Sequence, residues 1–99
     1  MTRVIVRATA VRWADDHFPG WIEVDIVDAE DRTHRIVEKA PVLTRANITA
    51  ASTFPFELWI EAEFERTKGG VALVRFAHGV ETTDGLDVIG MDGHGVRWL

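Results

Sequence analysis

Between residues 57 and 65 the chain alternates without a break: Leu58, Ile60, Ala62 and Phe64 are separated by Glu57, Trp59, Glu61, Glu63 and Glu65. Successive side chains of a β-strand point to opposite faces, so this rhythm gives one apolar face and one face of glutamates around a tryptophan. A helix is the rival, because Glu, Ala and Leu all favour it. Wound as a helix, however, Glu57, Glu61 and Glu65 would stack like charges at i,i+4 and the apolar residues would scatter around the cylinder. Only the strand, over 56–66, separates oil from water.

The same period recurs. Over 3–13, Val4, Val6, Ala8 and Ala10 share one face and Arg3, Arg7 and Thr9 the other, while Ile5 and Val11 interrupt the pattern and predict a bend or bulge. Over 21–28, Ile22, Val24 and Ile26 face inward and Glu23 and Asp25 outward. The stretch 14–20 between them is a loop closed by Pro19-Gly20. A polar turn at 29–32 returns the chain as a hairpin strand over 33–39, which Pro41 ends. Gly69-Gly70 makes a second hairpin turn, and 71–77 is apolar on both faces except for Arg75, as a strand covered on both sides would be. Short strands follow at 86–89 and 96–99, joined by a turn at Asp92-Gly93. The link 42–56 loses the alternation. There Thr44 or Asn47 can cap a helical turn or two ending at Ala50 or Ala51, and Phe54-Pro55-Phe56 is expected to be extended.

Ninety-nine residues with no break in composition make one domain, 1–99. The expectation is all-β: a small antiparallel β-barrel or sandwich of about six strands, with a short helical turn in the 42–56 link. Three strands, a link that can carry a helix and a hairpin resemble, in element order alone, the oligonucleotide-binding barrel. No residue motif supports that likeness, and a fold does not by itself give a function.

Composition excludes more than it names. With no cysteine there is no disulfide, thiol nucleophile or cysteine-held metal. Eleven Lys+Arg against sixteen Asp+Glu leave a net charge of -5, which disfavours nucleic acid as a ligand. No apolar run approaches the ~20 residues of a membrane span, and the N-terminus lacks a secretory apolar core. A cytoplasmic protein is expected, and the Arg-, Ala- and Val-rich usage suits a GC-rich bacterial genome. Ser52, the single serine, lacks the glycine-flanked elbow of a hydrolase, and Lys68-Gly69-Gly70 lacks P-loop spacing. His17, His34, His78 and His94 show no metal-ligand spacing. Adjacent Asp15-Asp16-His17 seldom chelate one ion alone, and His78, Glu81, Asp84, Asp92 and His94 converge only if the last hairpin folds back. No catalytic residue, metal or cofactor is assigned, and the reading leans away from an enzyme.

What remains is aromatic and acidic. Trp13, His17, Phe18 and Trp21 bracket the first loop, and Trp59 faces outward beside Glu61 and Glu63. Tryptophan is enriched at binding hot spots because it buries a large area with one polar handle. The competing reading packs the loop aromatics into a second small core under the loop and the link. The expected function is a non-catalytic acidic interaction module for a protein partner, a basic one by charge complementarity, in the manner of small inhibitors and toxin-neutralising immunity proteins. One alternative is a small-ligand-binding barrel or minor enzyme with a pocket near the first loop and His78. Another is an oligonucleotide-binding barrel using an arginine patch of Arg3, Arg7 and Arg75. A homodimer is open through pairing of the 96–99 strand across a two-fold. If the acidic strand is the contact surface, removing Glu61 and Glu63 weakens binding in a pull-down and leaves the melting temperature unchanged.

Overall fold

The computed structural model describes residues 2–45, 48–49 and 51–99. Its elements are β1 (Thr2–Asp15), β2 (Trp21–Val27), β3 (Thr33–Lys39), a single helical turn α1 (Ala40–Leu43), β4 (Phe56–Lys68), β5 (Val71–Phe76), β6 (Val88–Met91), a 3-10 turn (Gly93–Gly95) and β7 (Val96–Trp98). All pairings are antiparallel, in the order β3-β2-β1-β4-β5-β6, with β7 also on β1.

β1 organises the sheet because it is long enough to serve three partners. One edge pairs with β4 from Thr2↔Phe64 to Ala10↔Phe56. The other edge is shared: Val4, Ile5 and Val6 pair with β7, and the stretch from Thr9 to Asp15 then pairs with β2. The register slips between Ala10 and Arg12, at Val11, and again between Trp13 and Asp15. The bulge expected at Val11 is therefore present; Ile5 keeps the pattern and is half-buried on the outer face. Such slips bend a strand and increase its twist, which curls the sheet into a half-barrel. Backbone bonds bridge the open side, from Ala29 N–H to the Gly90 carbonyl at 2.8 Å and from Thr83 N–H to the Arg35 carbonyl at 2.7 Å.

The concave face holds the core. Val4, Val6, Ile22, Val24, Ile26, Ile36, Ile60 and Val74 are fully buried, each contributing roughly 1.5–3 kcal/mol relative to exposure. β4 is a strand of 13 residues with Leu58, Ile60 and Ala62 inside, so the helical alternative is excluded. At ~3.3 Å per residue such a strand spans about 43 Å, close to the molecule's 41 Å long dimension. Gly69 and Gly70 both have positive φ, 59° and 79°, as the expected two-residue hairpin turn requires.

Four expectations are corrected. The helical turn comes earlier than Thr44, at Ala40–Leu43. Pro41 lies in its first turn, where no N–H is needed, and Thr44 N–H closes it onto the Ala40 carbonyl at 3.0 Å. The Asn47 cap and the Ala50 end lie outside the described residues. Phe54 and Pro55 form a bend instead of an extended step, and pairing starts only at Phe56. The sixth strand is Val88–Met91, not 86–89, because Leu86 is tied into a turn with the buried Thr82, whose Oγ1 accepts the Leu86 N–H at 3.0 Å. Finally, β5 ends at Phe76 and is fully covered on one face only: Val74 and Phe76 are buried, while Val71 and Leu73 are half-buried on the other.

The bulge also decides where the first tryptophan goes. Trp13 pairs with the buried Ile22 and packs against the core, edge-on to Phe54 at 6.0 Å; Phe54 in turn meets Phe56 at 5.2 Å. Its Nε1 is enclosed and has no hydrogen-bond partner among the described residues. Gly20 lies against this ring with φ +84°, and a Cβ there would come within 2.8 Å of Trp13 Cζ3. Trp13, Phe54 and Phe56 thus extend the main core as a partly buried flank and do not form a separate one. Phe18, 99% exposed, is outside it. Trp13→Ala should therefore lower stability in urea denaturation by about 3 kcal/mol, and Phe18→Ala by no more than ~0.5 kcal/mol. Equal losses at the two positions would contradict this packing.

Candidate interaction surface

The first loop is shaped by its own polar groups. Asp15 Oδ1 accepts the His17 backbone N–H at 3.0 Å and lies 2.9 Å from His17 Nδ1. Gly20 N–H then donates to the His17 carbonyl at 2.7 Å, and the Gly20 carbonyl accepts from Ala40 N–H at 2.9 Å, tying the loop to α1. Phe18 is left at the tip with almost its whole side chain in water. Trp21, at the start of β2, is 37% exposed and has the Lys39 ammonium 5.7 Å from its ring centre. Val37 joins it on the same outer face.

The ligand atoms of Asp15, Asp16 and His17 lie within 4.8 Å of one another. The Asp15–His17 hydrogen bonds and a 3.8 Å ion pair between Asp16 and His17 account for that grouping without a metal ion. Bonding to the His17 backbone, then to its ring, holds the Asp15 carboxyl below its usual range. The Asp15 hydrogen bond, reinforced by the charges of Asp15 and Asp16, raises His17 above the ordinary histidine value. His78, Glu81, Asp84, Asp92 and His94 do not converge. His78 meets Glu61 at 3.1 Å, Asp84 accepts from Thr82 Oγ1, and Asp92 caps the 3-10 turn by accepting the His94 N–H at 2.9 Å.

The glutamate face of β4 is matched by arginine. Arg7 reaches Glu57 at 3.8 Å, Arg3 reaches Glu61 at 3.4 Å, and Arg75 bridges Glu65 at 2.6 Å and Asp87 at 2.5 Å. On the neighbouring strands, Arg12 and Arg35 hold Glu23, and Arg35 also grips Asp25 through two nitrogens. Exposed pairs of this kind contribute about 0–1 kcal/mol each. Their larger effect is on the surface potential: the strand presents a mosaic of both signs. Among the described residues, Glu63 makes no ion pair.

Trp59 faces outward as expected, but its ring is engaged. Arg97 Cζ stands 4.0 Å from the ring centre and Arg7 Cζ 5.3 Å, while Nε1–H donates to Glu57 Oε1 at 2.9 Å. Of the residues singled out by sequence, the structure groups His17, Phe18 and Trp21 at one end. It places Trp59, Glu61 and Glu63 on the outer face of β4 and packs the partly buried Trp13 against the core. The pocket expected near the first loop and His78 is two hollows, one bordered by Phe18 and the other by His78, which share Pro41, Thr44 and Arg45.

Arg45 and Arg97 were not legible as parts of this surface. Arg45 lies in the link without alternation, and Arg97 reaches Trp59 only because β7 returns to β1. A proton-NMR titration should give His17 a pKa above the ordinary ~6.5, with Asp15→Asn lowering it toward that value while Asp16 still holds part of the rise. Because the shift is upward, the protonated Asp15–His17 pairing persists below the unperturbed pKa and is lost as pH rises through the folded one. No family model, curated protein or solved structure matches this chain.

Proposed function

We propose that this chain is a non-catalytic interaction module that docks a protein partner through the β1–β2 loop, with Phe18 as its anchor. The observation that carries this reading is the 99% exposure of Phe18 on a loop whose backbone is pinned by Asp15 and by Ala40. A large aromatic held in water on an ordered tip gains roughly 2–3 kcal/mol when a partner buries it. Because the loop is already shaped by its own bonds, less ordering entropy opposes docking. Trp21 and Val37 extend the apolar contact, and Asp15 and Asp16 beside it favour a partner that surrounds its receiving pocket with basic groups.

This relocates the contact from the acidic strand. Glu57, Glu61 and Glu65 have arginine partners within the chain, so docking a basic protein there would first break those pairs. Affinity capture from a cell lysate tests the proposal. A protein retained by the wild type should be lost with Phe18→Asp and kept with Glu63→Gln, and raised salt should weaken its retention. An identical set of captured proteins with Phe18→Asp would overturn the loop as the docking element.

A further inference from the structure

Beside the loop, on the outer face of β1 and β4, lies a groove of about 360 Å³. Its apolar side is made by Ile5 and the α1 residues Pro41, Val42 and Leu43; its polar side is made by Arg3, Arg45, His78 and Glu61. Three nitrogen-bearing side chains share one carboxylate there. Glu61 lies 3.1 Å from His78, 3.4 Å from Arg3 and 3.7 Å from Arg45. The His78 hydrogen bond, against a burial cost and with help from the two arginines, holds the Glu61 carboxyl below its usual range.

The arginine contacts are long. A charge-assisted N–H···O bond closes to ~2.7–2.9 Å and each guanidinium has five donors, so Glu61 leaves most of that capacity unused. The Arg3 and Arg45 side chains are 63% and 92% exposed and can reach a newcomer. Trp59, which lines the groove, carries Arg7 and Arg97 against its ring. Arg3 and Arg45 border the groove with Trp59, and Glu63, the cross-strand partner of Arg3, shares this outer face with Glu57 and Glu61. Four arginines and three glutamates thus meet on this face of a molecule whose net charge is -5.

We infer that this groove binds a small organic phosphate, its phosphoryl group held by Arg3 and Arg45 and its apolar body lying along Ile5, Val42 and Leu43. A phosphate monoester carries about -1.5 to -2 charge at neutral pH, which suits two exposed guanidiniums held only by long contacts to Glu61. The groove's size is that of a small-ligand site. A polyanion fits poorly, because a strand leaving the groove along β4 meets Glu63, Glu65 and Asp87 and then the acidic remainder of the molecule. This site is independent of the loop, and Phe18→Asp should leave it intact.

Phenyl phosphate is the probe, followed by ¹H–¹⁵N NMR of the folded protein with the Trp59 indole N–H as reporter. Saturable binding with a dissociation constant of ~1 mM or tighter is expected at low salt. Arg45→Gln and Arg3→Gln should each weaken it by about fivefold or more. Glu61→Gln should tighten it, because the carboxylate that competes for both arginines is removed. Arg66→Gln, which changes an arginine with no ion pair among the described residues, should change nothing. Inorganic phosphate should bind more weakly than phenyl phosphate, since it cannot use the apolar side. No saturation, weaker binding in Glu61→Gln, or equal affinity for inorganic phosphate would overturn the proposal. So would a hexathymidylate that binds more tightly than phenyl phosphate, which would assign the groove to nucleic acid. Amide spectra that overlay on the wild type away from the groove confirm that each variant is folded.

Discussion

Everything in this molecule hangs on the backbone pairing of β1. Its 14 residues hold β4 along one edge and, in succession, β7 and β2 along the other. A strand with three partners fixes their relative registers, and with them which side chains reach each face. The slips after Ala10 and Trp13 then bend that common axis. The bend brings the Ala29 turn to Gly90 and the loop at Thr83 to Arg35, so that a sheet with two ends encloses one interior. A straight β1 would leave Trp13 without Phe54 above it and the core open on one side.

The outer face obeys a different rule. Its ion pairs are mostly exposed and individually weak, yet they set where charge is neutralised and where it is left over. Arg75 is engaged by Glu65 and Asp87, and Arg35 by Asp25 and Glu23. Around Glu61 and Trp59, two parts of the chain deliver arginines that Glu57 and Glu61 hold only at long range. A net charge of -5 therefore describes the field at a distance. At contact range the surface has two aspartates at the loop and two exposed arginines in the groove, with α1 between them.

Much of the sheet was readable residue by residue. The alternation from Leu58 to Phe64 predicted a buried face, and Leu58, Ile60 and Ala62 are buried. Val11 announced the bulge. The misplaced elements are those without a local signal. Pro41 looks like a strand terminator and is also a good first-turn helical residue, so the position of α1 depended on what Leu43 could pack against. Leu86 looks like strand and is held in a turn by Thr82. Among the candidate site residues, Trp13 and Phe18 are both large aromatics five residues apart, and nothing in their neighbours says that one packs against the core and the other is solvated.

The sequence by itself determined the class of fold, the inward and outward partition of β2 and β4 and the hairpin at Gly69-Gly70, because these depend on period, turn chemistry and nearest neighbours. The tertiary structure alone decided the fate of the first tryptophan, the matching of the glutamates and the meeting of Arg3, Arg45, His78 and Arg97 around Glu61 and Trp59. Those residues are separated by as much as most of the chain's length, and only strand pairing and curl carry distance of that kind into contact.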